Sequence, residues 1–152
     1  MTNSVNKLVE AGADIITVHC STYYMPEESF EKYIAGVTVL TSFSENKILK
    51  IYGKRTENLL YTFTNFCNSF KYNYMVCSPK DISSLPPTAC KLICPGIRPN
   101  WYQKKDDQKR TMTPKEAVKA GADLLVIGRP ILNAKDIIEA IKKTNEEIKE
   151  SK

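Results

Sequence analysis

Residues 9–18 read VEAGADIITV and residues 118–127 read VKAGADLLVI, so one phrase of polar and apolar positions occurs twice along the chain. In each copy a helical stretch ends, a glycine able to take the left-handed conformation follows, and an apolar run starts at once. The pattern predicts a helix-to-strand joint at both places. Neither apolar run alternates with polar residues. That predicts strands buried on both faces, as in a parallel sheet covered by helices.

Outward from these joints, apolar runs place strands at 14–19, 36–41, 72–78, 91–96 and 124–128. Helical patterns fall between them at 26–33, 45–52, 56–70 and 114–120, with a short piece at 79–85. Pro26, Pro79 and Pro114 each suit a first helical position, where the N–H that proline lacks would have had no partner anyway. Thr113 is a candidate N-cap with Glu116 three residues on, the pattern of a capping box. Over 134–150, Ile137, Ile138, Ile141 and Ile148 stand near helical spacing among lysines and glutamates, which predicts a surface helix with a solvated outer face.

Alternating strands and helices in parallel order fit an open doubly wound sheet or a closed (β/α)8 barrel. No GxGxxG follows the first strand and no GxxxxGK[ST] loop is present, so the barrel is favoured. A complete barrel needs about 250 residues. A chain of 152 residues with room for five strands is about five-eighths of one, which predicts a fragment.

Composition adds exclusions. The chain is 42% hydrophobic and 26% charged, the make-up of one ordinary domain. Lysine and arginine number 22 against 17 acidic residues, a net charge of +5, which favours anionic ligands and falls short of a nucleic-acid footprint. No apolar run approaches the ~18 residues of a membrane span, and MTNSVNKLVE lacks the apolar stretch of a signal peptide. A cytoplasmic protein is expected. Cys20, Cys67, Cys77, Cys90 and Cys94 show no metal-ligand spacing and read as reduced, packed thiols.

Barrel sites form on loops after the C-terminal ends of strands, and phosphate sites commonly follow the last two. Here those ends read ICPGIRP (93–99) and VIGRP (126–130). Each offers a glycine where backbone can approach a ligand, Gly96 and Gly128, then within two residues an arginine whose planar fork can grip phosphate oxygens, Arg98 and Arg129. Either arginine alone reads better as a surface ion-pair residue. Two Gly-Arg elements at neighbouring strand ends predict a convergent anion pocket.

The connection between them, NWYQKKDDQKRTMT (100–113), is long and polar, as a lid over a phosphate or a solvated charge run would be. Gln108 could reach a ligand as a neutral donor, while Lys104, Lys105 and Lys109 read individually as solvated. Thr41 and Ser42 end the run VTVLTS. Their hydroxyls could meet a planar polar edge such as a pyrimidine, or cap the following helix. His19 is the single histidine and so a candidate for acid–base work, but no partnering Ser, Cys or Asp arrangement can be read. A hydrogen-bonded strand-end histidine is the better reading, and Cys20 beside it points to the opposite face.

ICPGIRP, then DQKRTMTPKEAVKAGADLLVIGRPI, together with ITVHCS and AGVTVLTS, closely resembles the bacterial form of the orotidine 5'-phosphate decarboxylase family. The segments occur in the family's order from about Ile15 to Ile138, with an atypical middle between Phe43 and Tyr72. The resemblance implies a (β/α)8 barrel, normally a homodimer, that removes the carboxylate of orotidine 5'-monophosphate to give UMP with no metal or organic cofactor. Carried over by motif, Arg98, Gln108, Gly128 and Arg129 would hold the substrate phosphate, and Thr41 would lie near the pyrimidine.

The family's catalytic signature, D-x-K-x-x-D-I-P-N-T, belongs on the strand and loop before the helix that leads into ITVHCS, and it does not occur in these 152 residues. Residues 1–8 stand where that helix should be. Asp14 opens a strand at the wrong end and Lys7 lies on the helix, so neither can substitute. The resemblance thus implies an α/β chain forming the C-terminal five strand-helix units of a (β/α)8 TIM barrel, incomplete as a lone chain, with strands four to eight over 1–132 and a C-terminal surface helix over 134–152. No catalytic residue is expected in it.

The functional expectation is a truncated decarboxylase that retains the phosphate- and pyrimidine-binding half and is inactive alone. The alternatives are a non-catalytic phosphate or nucleotide binder, or another phosphate-binding barrel enzyme such as a hexulose-phosphate synthase relative. Expected partners are orotidine 5'-monophosphate or UMP, and a separately encoded N-terminal half or a second copy, with no nucleic acid and no membrane.

Overall fold

The computed structural model describes residues 2–26, 34–103 and 110–151. The helix expected over 26–33 falls, from residue 27 on, outside the described residues, as do Lys104, Lys105, Gln108 and Lys109.

Each repeated phrase forms the helix-to-strand joint that its pattern predicts. Helix α1 (Thr2–Glu10) ends at Gly12, and α4 (Pro114–Ala120) ends at Gly121, with φ of +89° and +107°. The capping bonds match one for one: Gly12 N–H donates to the Val9 carbonyl and Ala13 N–H to that of Leu8, as Gly121 does to Val118 and Ala122 to Ala117. This is the Schellman pattern, and it aims the next residues straight into a strand. At the other end of α4, Thr113 Oγ1 accepts from Glu116 N–H at 3.2 Å while Glu116 Oε2 accepts from Thr113 N–H at 2.9 Å, the expected capping box.

Strands β1 (Ile16–His19), β2 (Ile34–Val37), β3 (Tyr74–Val76), β4 (Lys91–Cys94) and β5 (Leu124–Leu125) form one five-stranded sheet in sequence order, and every pair is parallel. Helices α2 (Glu45–Tyr52) and α3 (Thr56–Ser69) connect β2 to β3. A 3-10 turn over Pro79–Ser84 and helix α4 stand in the next two connections, and α5 (Arg129–Leu132) and α6 (Ile137–Lys149) follow β5. The core lies between the sheet and α3, where Ile34, Met75, Leu60, Phe63 and Cys67 are essentially inaccessible. All five cysteines are buried free thiols, and the Cys20 and Cys67 sulfurs lie 3.7 Å apart.

Three expectations are corrected. The second strand lies earlier than expected: Ile34 and Ala35 already pair with β1, and the last bond to β3 comes from Thr38, whose N–H and hydroxyl both donate to the Val76 carbonyl at 3.0 Å each. Burial on both faces holds for β2 and most of β4, is partial in the middle strand β3, where Tyr74 and Val76 are half-buried, and fails at the edges. In β1, Ile16 and Val18 are buried while Thr17 and His19 are exposed, and beside β5 Leu124 and Val126 stand 42% and 50% exposed.

The last helix differs as well. It turns Ala140 and Thr144 inward and leaves Ile137, Ile138 and Ile141 exposed at 47%, 67% and 44%. With Leu124, Ile127 and Ile131, the Ile141 and Ile148 side chains line an apolar groove of about 370 Å³ along the β5 edge.

Candidate functional site

In a parallel sheet all C-terminal strand ends share one rim, and the loops leaving them build the site. Arg98 follows β4. Pro95 and Gly96, with φ +80°, turn the chain there, and Ile97, fully buried, pairs with Met112 as in a parallel ladder. Arg98 N–H donates to the Met112 carbonyl at 2.9 Å, and its half-buried guanidinium donates to the Ile97 carbonyl at 2.8 Å and lies 5.8 Å from the Tyr102 ring. Backbone and side chain are thus both anchored.

Gly128 and Arg129 follow β5. Gly128 is exposed, and a Cβ added there would meet no atom within 4 Å, so its bare backbone opens on free space. Its carbonyl accepts from Ile131 and Leu132 N–H at 3.0 Å each, starting α5. That short helix escaped the sequence reading, although Pro130 at its second position was a usable signal. Arg129 is half-buried.

Thr41 lies beyond β2, 8% exposed. The N-cap of α2 is Ser44, which accepts from Lys47 N–H, so Thr41 and Ser42 are not the cap that the sequence left open. His19 ends β1 on an exposed face, and its carbonyl accepts from the Thr22 hydroxyl at 2.7 Å. Thr41, Arg98, Gly128 and Arg129 therefore stand beyond the C-terminal ends of β2, β4 and β5, on the same rim, while Gln108 lies outside the described residues.

The sequence reading missed a second constellation on that rim. Arg110 forms an ion pair with Asp81 of the Pro79–Ser84 turn, and its carbonyl accepts from the Ser78 hydroxyl at 3.4 Å. Burial pulls the guanidinium below its usual pKa, and the Glu45 carboxylate opposes that shift. These groups wall a cavity of about 360 Å³, completed by Phe43, Ile48 and Thr56. The clues were present, Arg110 in the DQKR string and Asp81 just after Pro79, but nothing in the sequence paired them. Nearby, the Cys77 thiol shares a hydrogen bond with Cys94 and is pushed up in pKa by that bond and by burial, so it stays protonated. Among the described residues no group of three or more His, Cys, Asp or Glu could hold a metal ion, and no helix is long and apolar enough to cross a membrane.

A parallel sheet with helical crossovers, carrying arginines and an open glycine beyond neighbouring C-terminal strand ends, defines an α/β chain of the barrel class. The model of the orotidine 5'-phosphate decarboxylase / HUMPS family matches residues 1–144, and the chain belongs to that family. It is 34% identical over 96% of its length to the orotidine 5'-phosphate decarboxylase of Glaesserella parasuis, of which it spans 71%. It is 38% identical over 82% of its length to that of Prochlorococcus marinus, of which it spans 60%. A stretch covering 49% of the chain is 49% identical to the enzyme of Gloeothece citriformis, of which it spans 33%.

The crystal structure of orotidine 5'-phosphate decarboxylase from Lactobacillus acidophilus superposes with a TM-score of 0.70 at 21% identity, covering 97% of this chain and 70% of the other. That from Pyrococcus horikoshii gives 0.67 at 24%, covering 97% and 67%. The described fold is thus part of the barrel that those proteins share.

Proposed function

We propose that this chain supplies the phosphate- and pyrimidine-binding half of an orotidine 5'-phosphate decarboxylase of pyrimidine biosynthesis, acting in the cytoplasm on orotidine 5'-monophosphate or its product UMP. Arg98, Gln108, Gly128 and Arg129 hold the phosphate, and Thr41 meets the pyrimidine edge. The observation that carries the reading is the placement of Arg98 and Gly128-Arg129 within about four residues of the C-terminal ends of two paired parallel strands, with open space over the bare glycine.

Each group has a chemical part. Two guanidinium forks give the phosphate dianion charge-assisted hydrogen bonds, the strongest kind a side chain offers. A glycine lets main-chain N–H come within bonding distance. The Thr41 hydroxyl can donate or accept, as a pyrimidine imide requires. Such remote binding energy accelerates a reaction only when it organises charged groups at the reacting carbon. The D-x-K-x-x-D segment that would provide those groups is not among the 152 residues, so this chain grips ligand and does not decarboxylate by itself. A polypeptide carrying that segment completes the site and, in the same step, covers the open edges at β1 and β5.

Two measurements test the proposal. Calorimetry with UMP should give binding that Arg129→Ala weakens by about 1.5–3 kcal/mol, the range for hydrogen bonds to charged groups. Unchanged affinity removes Arg129 from the site. UMP formation from orotidine 5'-monophosphate should be absent for the chain alone and appear on mixing with a fragment containing the D-x-K-x-x-D segment. Activity without the fragment, or none from a folded complex, refutes the division of labour.

A further inference from the structure

One short stretch, residues 110–112, joins the turn after β3 to the main chain of Arg98. At its start the Arg110 guanidinium pairs with Asp81, itself only 6% exposed, and the Arg110 carbonyl accepts from the Ser78 hydroxyl. At its end the Met112 carbonyl accepts from Arg98 N–H at 2.9 Å, and Met112 pairs with the buried Ile97.

The ion pair is poorly explained by stability. Asp81 Oδ2 and Arg110 Nη1 are buried and have no hydrogen-bond partner among the described residues. Two charges taken out of water with spare donors and acceptors unsatisfied generally gain little over an apolar pair of the same size. What the pair does provide is a fixed point, since Arg110 Nη2 meets Asp81 Oδ1 where both side chains are largely buried. That fixed point lies two residues along the main chain from the Met112 carbonyl that holds Arg98.

We propose that Arg110, locked by Asp81, is a positioning residue for the phosphate cradle, fixing the Met112 carbonyl and through it the main chain of Arg98. The proposal rests on the assignment of Arg98 to the phosphate made above. It concerns a residue that touches no ligand and acts through its neighbour.

The decisive variant is Asp81→Leu with Arg110→Met in the full chain, which removes both charges and leaves neither buried alone. The pair should fold with an unchanged or raised Tm. Arg98 N–H should exchange with solvent at least tenfold faster by NMR, and the Kd for UMP or inorganic phosphate should rise about tenfold, equivalent to about 1.4 kcal/mol. Ser78→Ala, a milder change to the same stretch, should raise the Arg98 exchange rate by a smaller factor. An unchanged Arg98 exchange rate overturns the proposal, as does faster exchange with unchanged affinity. A paired variant that fails to fold assigns the ion pair to the fold itself and overturns it too. Should the parent chain bind neither probe, the functional reading fails separately, and Arg98 exchange still decides the positioning role.

Discussion

Gly36 sits in the middle of β2, opposite Val18 on one side and Met75 on the other, and replacing it with alanine tests why the sheet can pack so closely on α3. In a strand interior glycine is ordinarily the weaker choice by about 0.5–1 kcal/mol, so Gly36→Ala would stabilise if there were room. There is none: the new methyl would lie 2.6 Å from Cys67 Sγ, 2.9 Å from Cys20 Sγ and 3.0 Å from Tyr72 Cδ2. Non-bonded heavy atoms prefer about 3.5–4.0 Å, so the Cys67 sulfur must retreat by about 1 Å into a fully buried site. Overpacking of this size costs about 1–3 kcal/mol, which outweighs the gain in strand propensity. A net loss of roughly 1–2 kcal/mol is expected. Cys67→Ala alone should also destabilise, by leaving a hole where the sulfur was. Together the two changes should cost less than their sum by about 1 kcal/mol, because the alanine methyl enters the space the sulfur vacates. Urea unfolding of the four proteins, with m unchanged, measures the cycle. Additive or worse-than-additive costs would mean that the close approach of sheet and helix is not what requires glycine at this position.

Thr113→Ala removes the N-cap of α4 and should lower stability by about 1 kcal/mol in the same unfolding assay. The bonds from Thr113 hold the Glu116 carboxyl below its usual 4.5, so its contribution is present above that pH and fades as the pH falls through the lowered folded-state value. Thr113→Ala keeps the larger of these bonds, from the backbone N–H, and removes the one from the hydroxyl, so the parent should lose somewhat more stability on acidification than the variant, and parallel pH curves would mean that the hydroxyl adds nothing to the shift. At the β5 edge, Val126 is 50% exposed and its N–H already donates to the Cys94 carbonyl, so Val126→Lys places a charge beside the open edge without breaking the ladder. Sedimentation should show less self-association than the parent, since a lysine at an exposed edge opposes edge-to-edge pairing.

Much of the architecture was legible because local rules and global fold agree in it. The two AGAD joints carry their own geometry in a glycine, and the Thr113-Glu116 box with Pro114 marks the start of α4 to the residue. Helices at 45–52 and 114–120 end where glycine ends them, at Gly53 and Gly121. What the sequence concealed was long-range. Apolar runs announce burial but do not reveal which strands lie at an edge, so β1 and β5 read like the central strands. Isoleucine spacing on α6 marks an apolar stripe without saying what lies against it, and the stripe faces the open β5 side. The Arg98 and Gly128-Arg129 elements could be read because strand, glycine and arginine are contiguous. The Arg110-Asp81 pair could not, because its members lie on different connections and meet only when β3 and β4 are side by side.

The two arginines do not stand on equal supports, so in the proposed cradle ligand grip would depend on closure of the sheet. Arg98 follows β4, which is paired on both sides, and its own main chain is held by Met112. Gly128 and Arg129 follow β5, which among the described residues pairs with β4 alone, over two residues, with exposed Leu124 and Val126 and an apolar groove alongside. A strand tethered from one side opens locally more readily than one paired on both, and a group at its end that has to be re-ordered on binding gives up affinity that a pre-ordered group keeps. A polypeptide that pairs with the free side of β5 would prepay that ordering. UMP should therefore bind the completed sheet more tightly than the chain alone, and the complementing fragment should bind the UMP-loaded chain more tightly by the same factor, because coupling between two binding events is reciprocal. A tenfold effect would correspond to about 1.4 kcal/mol in each direction. Calorimetric titration of fragment into chain, with and without UMP, measures the coupling. Equal fragment affinity in the two titrations would mean that the phosphate cradle is already complete on the open sheet, and that the β5 edge and the site at its end are independent.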